Sequence, residues 1–246
     1  MEVLGIDIGG SGVKGAIVNI DTGELVTNRL RIATPQPSKP ESVIKVIKEI
    51  VDHFSYQGPI GVGFPGVVMN GVAMTAANVD DDWLNYPAAE AISKATGCQV
   101  YVGNDADVAA IGEMHYGAGR NVEGVVMIFT LGTGIGSAMF LNGHIVPNME
   151  LGHIYQRNRK LDVEYFASDR ARKREDLSWK EWGARLDKYF KYIEMLFSPD
   201  MIIIGGGISR KHERFMHYIQ VRAKVVPAQL LNEAGIIGAA IGAVDR

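Results

Sequence analysis

The sequence predicts an α/β protein built from two similar domains, and three observations predict it. A glycine-rich motif occurs twice, as Asp7-Ile8-Gly9-Gly10-Ser11-Gly12-Val13-Lys14-Gly15-Ala16-Ile17 and, with one gap, as Thr130-Leu131-Gly132-Thr133-Gly134-Ile135-Gly136-Ser137-Ala138-Met139, half of the 246-residue chain apart. Each copy follows an apolar strand (3–6 and 125–129) and runs into a second apolar stretch. Elsewhere strand-like runs alternate with helical periodicity, the pattern of strands layered with helices. At 47% hydrophobic and 22% charged, the chain can bury a core of ordinary size.

The elements follow in order. Residues 22–24 turn into a strand ending near Ile32, and 35–40 form a loop. A helix over 41–54 carries Val43, Ile44, Ile47, Ile50 and Val51 on one face. Strand 60–64 leads into the Phe64-Pro65-Gly66 turn, and helix 87–96 stops at Gly97. Strand 99–102 leads into Gly103-Asn104-Asp105 and helix 105–116, for which Asn104 or Asp105 suits the cap. A helix over 178–197, a strand over 201–204, the Gly205-Gly206-Gly207 turn and a further helix come next. The last helix, 233–244, is rich in glycine and alanine and packs closely against a neighbour. Residues 124–149 contain no Asp, Glu, Lys or Arg and are long enough to cross a bilayer. Gly132, Thr133, Gly134 and Gly136 in their middle, with β-branched and aromatic flanks, predict strand–turn–strand instead.

Charge and cysteine content exclude several functions. A formal net charge of -3 offers no general attraction for nucleic acid or a membrane surface. The single cysteine, Cys98, excludes an intrachain disulfide and a cysteine-rich zinc site. The opening residues lack a signal-peptide layout, which predicts a cytoplasmic protein.

The glycine motifs point to phosphate. Gly10, Gly12 and Gly15 match the dinucleotide fingerprint in spacing, but a strand follows them where that fingerprint needs a helix. A hairpin whose backbone amides face an anion fits better. Asp7, just before the first turn, can hold Mg²⁺ through water. Lys14 either adds positive charge near a phosphate or is a solvated hairpin lysine. Glu150 and His153, three apart, share one face of a helical turn and can bracket vicinal hydroxyls. Residues 157–174 hold seven Lys or Arg against three Asp or Glu, with Arg170, Arg172, Lys173 and Arg174 nearly a run. Such a patch binds a linear polyanion by summed phosphate contacts, or is a solvated charged loop. Lys211, with Arg210 and Arg214, extends it.

These residues carry a resemblance. The 5–15 opening resembles the first phosphate motif of the hexokinase–actin–heat-shock-chaperone superfamily, 131–138 resembles its second, and Gly205-Gly206-Gly207-Ile208-Ser209 its adenosine-lining segment. Gly63-Phe64-Pro65-Gly66, the 103–113 segment and Glu150-Leu151-Gly152-His153 are similar to the repressor–ORF–kinase (ROK) branch, and the likeness runs from Met1 to about Val244. It implies two ribonuclease H-like (actin-like ATPase) domains, mixed sheets flanked by helices, with a cleft between them. The division expected is 1–105 plus helix 233–246 against 106–232. It also implies a sugar kinase in which Asp105 is the catalytic base, drawing the proton from a sugar hydroxyl. Gly66, Asn78, Asn104, Asp105, Glu150, His153 and Glu164 would bind the sugar. Gly9, Gly10, Ser11, Gly12, Lys14, Gly132, Thr133 and Gly134 would hold phosphate.

Most ROK kinases carry a cysteine-rich zinc loop in which the His is a ligand. Residues 154–163 contain no cysteine, so no zinc is expected and His153 should act on the sugar alone. That pattern, with 172–179, 197–200, 205–211 and 225–228, resembles the polyphosphate-using glucokinases of the branch. The resemblance implies glucose as acceptor, polyphosphate or ATP as donor, Mg²⁺, and a homodimer. Gly205, Gly206, Gly207, Arg170, Arg172, Lys173, Arg174 and Lys211 would then meet the nucleotide or polyphosphate. An ATP-dependent kinase for another hexose or amino sugar stays open, as does a silent sugar or polyphosphate sensor. The branch also contains repressors, but their N-terminal DNA-binding module has no room before a hairpin that starts at residue 3.

Overall fold

The computed structural model describes residues 1–76, 79–155 and 160–244. Its contacts divide into two units, Met1–Tyr116 with Glu233–Arg246, and Gly117–Asn232.

In the first unit, β1 (Glu2–Gly9) and β2 (Gly12–Asn19) form an antiparallel hairpin closed by Gly10 and Ser11. Short strands β3 (Glu24–Leu25) and β4 (Leu30–Ile32) both pair with β2. The continuous strand expected up to Ile32 is therefore interrupted. The reason is local: the Thr27 hydroxyl accepts the Ile17 amide at 3.0 Å, taking a ladder position from the backbone. On the other side of β1 lie the parallel strands β5 (Ile60–Phe64) and β8 (Val100–Asn104), with the small hairpin of β6 (Val68–Met69) and β7 (Val72–Ala73) between them in sequence.

Helix α1 (Pro40–His53) starts with Pro at its first position and buries Val43, Ile47, Ile50 and Val51 at three- and four-residue spacing. With α2 (Ala88–Thr96), ended by left-handed Gly97, it contributes to the core around Leu4, Ile6, Val62 and Phe64. Trp83 is buried in the same core, donating its indole N–H to the Ser38 carbonyl at 2.9 Å.

Helices α3 (Asp105–Tyr116) and α7 (Ala234–Gly242) pack together, and α7 also lies on β1 and β5. The approach is backbone to backbone. A Cβ at Gly61 would overlap the Ala239 carbonyl, and one at Gly238 would overlap that of Val108. The glycine- and alanine-rich composition of the last helix thus has a purpose: it fixes the end of β1, with Asp7, and the start of α3, with Asp105.

The second unit repeats the plan. Strands β9 (Val125–Leu131) and β10 (Ile135–Leu141) form the antiparallel hairpin, extended by β11 (His144–Val146). Parallel strands β12 (Met201–Gly205) and β13 (Lys224–Pro227) continue from β9. The uncharged 124–149 stretch is therefore strand–turn–strand, and among the described residues no helix is long and apolar enough to cross a membrane.

Two short helices, α4 (Val163–Ala167) and α5 (Asp169–Arg174), precede α6 (Trp179–Phe197). The last begins with a reciprocal capping box: the Ser178 hydroxyl accepts the Glu181 amide at 3.3 Å, and the Glu181 carboxylate accepts the Ser178 amide at 2.9 Å. Its inner face buries Trp182, Leu186, Tyr189, Phe190 and Ile193 against Phe129 and Phe215. After the Gly205-Gly206-Gly207 turn the expected helix is 3₁₀ instead, over Gly207–Arg214, kinked at Lys211. The Ser209 hydroxyl, donating to the Gly206 carbonyl at 2.8 Å, favours that tighter three-residue turn.

Candidate active site

The first glycine turn is built by the β1–β2 hairpin, and two of the carbonyls there accept side-chain donors. The Ser11 carbonyl accepts Arg31 Nη2 at 2.6 Å, and the Gly9 carbonyl accepts the Thr34 hydroxyl at 2.5 Å. Arg31 brings a cation to the turn that the sequence did not suggest. It lies opposite Lys14 in the β2–β4 register, and such pairing is visible only once the sheet is formed. Asp7, at the end of β1, is one-fifth exposed and lies 3.0 Å from Lys14 Nζ, so Lys14 is neither a solvated hairpin residue nor a lone cation.

A Cβ at Gly235 would come within 3.3 Å of the Asp7 carboxyl carbon, so the glycine leaves room beside the carboxylate. A single partly exposed carboxylate in such a space suits Mg²⁺, which keeps most of its water. The residues present fit that ion.

Asn104 and Asp105 stand where β8 passes into α3. Asn104 is buried, and its amide bonds to backbone: Oδ1 accepts the Ala106 and Asp107 amides at 2.8 and 3.2 Å, and Nδ2 donates to the Gly66 carbonyl at 3.1 Å. The capping role therefore falls to Asn104. The same bonds bring Gly66 and Asn104 together, with Asp105 as the first residue of α3. Asn78 lies outside the described residues.

In the second unit, the glycine turn between β9 and β10 is braced from α4 and α5. Glu164 Oε2 accepts the Ile135 amide at 2.8 Å, and a Cβ at Gly134 would strike that carboxylate. The Arg170 amide donates to the Gly132 carbonyl at 3.1 Å.

Glu150 precedes the 3₁₀ turn Leu151–His153, in which residues three apart eclipse, and His153 Nε2 lies 3.9 Å from Glu150 Oε2. The turn is anchored from below. The Ser137 hydroxyl accepts the Leu151 amide at 2.9 Å, and the Tyr189 hydroxyl donates to the Leu151 carbonyl at 3.1 Å. Complete burial raises the Tyr189 pKa well above its ordinary value, keeping that donor proton in place.

The other face of His153 is held from within the chain. Asp162 Oδ2 lies 2.8 Å from Nδ1, and Asp162 Oδ1 accepts the Tyr165 amide at the start of α4 at 3.1 Å. The hydrogen bond to Asp162 raises the His153 pKa, aided by Glu164 and Glu150 and opposed by partial burial. Nothing in the sequence marked Asp162, because it lies nine positions beyond His153 and only the fold brings the two together.

The basic run lines a pocket of about 770 Å³ together with Gly132, Thr133, Gly207, Ile208 and Lys211. Its members are not equivalent. Arg172 pairs with Asp169 at 2.8 Å and stacks on Trp179, 4.3 Å from the ring centre. Lys173 pairs with Asp169 at 2.7 Å. Arg174 pairs with Glu175 at 2.6 Å and lies over the Tyr165 ring. Among the described residues, Arg170 and Lys211 have no ion-pair partner.

Three comparisons place this geometry among known proteins. Polyphosphate glucokinase of Mycobacterium tuberculosis is 44% identical over 242 residues, covering 98% of this chain and 91% of its own length. The Mycobacterium leprae protein of the same name is 43% identical over 239 residues, covering 97% of this chain and 73% of its own. Among solved structures, the inorganic polyphosphate/ATP-glucomannokinase of Arthrobacter sp. strain KM is 45% identical with a TM-score of 0.93, over 100% of this chain and 99% of that one. The model of the ROK family matches residues 3–171, more than half of the sequence. A doubled glycine-turned hairpin, the Asn104-Asp105 junction and the Glu150–His153 turn, taken with these matches, establish that the chain belongs to the ROK family.

Proposed function

We propose that this chain is a glucokinase that transfers a phosphoryl group from inorganic polyphosphate to the 6-hydroxyl of glucose. The observation that carries the reading is the cationic pocket beside the second glycine turn, in a chain 44% identical to a polyphosphate glucokinase over almost its full length. Two cations without an ion-pair partner among the described residues, beside a glycine turn, suit a linear polyanion, which offers phosphate oxygens but no base to recognise.

In this reading Asp105 accepts the proton of the 6-hydroxyl as its oxygen bonds to the terminal phosphorus. The phosphoanhydride bond breaks, and the donor leaves one phosphate shorter. Asn104 and Gly66 hold the junction from which Asp105 reaches the sugar, and Glu150, His153 and Glu164 select its hydroxyls. The glycine turns hold phosphate, Lys14 holds the Asp7 carboxylate in place, and Gly205, Gly206 and Gly207 border the donor. Mg²⁺, held by Asp7 through water, would neutralise charge on the donor phosphates. A cytoplasmic homodimer belongs to the same reading.

Asp105→Asn tests it: turnover should fall about 10²–10⁴-fold while glucose binding survives. Loss of glucose binding with turnover unchanged would contradict the role of Asp105. The Arthrobacter structure favours a second reading, in which mannose and ATP also serve, since that protein is a polyphosphate/ATP-glucomannokinase. Turnover across glucose, mannose and N-acetylated hexoses with each donor separates the two.

A further inference from the structure

The Glu150–His153 turn offers a sugar two groups of opposite character, provided the ring is held in one orientation. Nε2 and Glu150 Oε2 are 3.9 Å apart, too far for a direct hydrogen bond. The separation suits a hydroxyl seated beside both, accepting from one and donating to the other. What holds the ring is Asp162, at 2.8 Å from Nδ1 and only a quarter exposed.

We propose that Asp162 is a positioning residue for sugar binding: by holding His153 at Nδ1 it presents Nε2–H beside the Glu150 carboxylate, so that one sugar hydroxyl accepts from the ring and donates to the carboxylate. The inference rests on the hexose-kinase reading above. It assigns to a carboxylate of this chain the task of orienting the histidine, in a loop without cysteine.

The charges support it. Among the described residues, the charged groups acting on His153 are Asp162 at the start of α4, Glu164 within α4, and Glu150 on the turn, all three carboxylates. Together they raise the proton affinity of the ring, with the Asp162 hydrogen bond the largest contribution. A raised value means that the Nε2 proton is present at low pH and is lost as pH rises through it. The glucose KM should therefore be lowest below that value and climb above it.

Two variants separate positioning from scaffolding, because Asp162 also accepts the Tyr165 amide. Asp162→Asn keeps the size and the acceptor for that amide, removes the charge, and turns an N–H donor toward Nδ1, which leaves the neutral ring with its proton on Nε2. Asp162→Ser keeps a capping hydroxyl but does not reach the ring. Asp162→Ser should raise the glucose KM near neutral pH about tenfold, the loss expected of one hydrogen bond to a charged group, with kcat within about twofold, whereas Asp162→Asn should hold it near the wild-type value. The climb in KM should begin at lower pH in Asp162→Ser than in the wild type, and be absent in Asp162→Asn, whose neutral ring keeps Nε2–H. His153→Gln should abolish that pH dependence. In ¹⁵N-imidazole spectra, His153 should titrate at lower pH in the Asp162→Asn protein.

An unchanged glucose KM and pH profile in both variants, with only thermal stability reduced, would overturn the inference. So would an unchanged His153 titration. If the wild type phosphorylates glucose and the variants behave like it, the positioning role alone falls. A wild type inert toward glucose with every donor overturns the functional reading and this inference with it.

Discussion

The proposed base, Asp105, needs its backbone held by something else, and Asn104 holds the junction on which it sits. One buried amide terminates β8, caps α3 and holds the Gly66 carbonyl. Asn104→Ala removes the cap and leaves buried backbone groups without their partner. It should cost about 2–3 kcal/mol in urea unfolding and lower turnover as well, because Asp105 loses its footing. A variant with wild-type stability would show that the junction is held elsewhere. This site was legible in the sequence because it is local: a strand, an Asn-Asp pair and a helix, read in order. Pairs made by the tertiary fold were not legible. Arg31 reaches Ser11 through sheet register, and Asp162 reaches His153 from the far end of a loop. In isolation, Arg31 and Asp162 each read as ordinary surface.

At the scale of elements, close packing and charge pairing make different demands. Helix α7 meets α3 and the sheet through glycines and alanines, and a Cβ at Gly238 would overlap the Val108 carbonyl. Gly238→Ala should destabilise the protein by about 3 kcal/mol, since backbone cannot move aside as a side chain can. A melting temperature unchanged by the substitution would contradict that account. The basic run divides similarly. Arg172, stacked on Trp179 and paired with Asp169, belongs to the α5–α6 scaffold, so Arg172→Ala should lower stability by about 1–3 kcal/mol. Arg170→Glu and Lys211→Glu should leave stability nearly unchanged, raise the polyphosphate KM, and weaken its dependence on salt. Equal effects of all three on polyphosphate KM would return the run to a single undivided patch. Helix α6 could be placed from sequence because Ser178, Glu181 and the apolar face agree with one another. The 3₁₀ segment after Gly207 could not, since a serine hydroxyl bonded to the backbone decides between two kinds of turn.

At the scale of the molecule, the doubled motif is the feature that organises everything else. Each unit opens with a hairpin closed by a small-residue turn and continues with parallel strands, and each carries its own candidate groups. The first holds Asp7 and the Asn104-Asp105 junction; the second holds the Glu150–His153 turn and the cationic pocket. That plan was readable because duplication leaves a sequence signal independent of any contact, whereas the chemistry of the donor depends on which cations remain unpaired after folding. The central claim is phosphoryl transfer from polyphosphate to glucose. Its most direct test is glucose 6-phosphate formation with Mg²⁺, glucose and either long-chain polyphosphate or ATP as sole donor. The account predicts faster turnover with polyphosphate, and no glucose 6-phosphate from polyphosphate under conditions where ATP serves would contradict it.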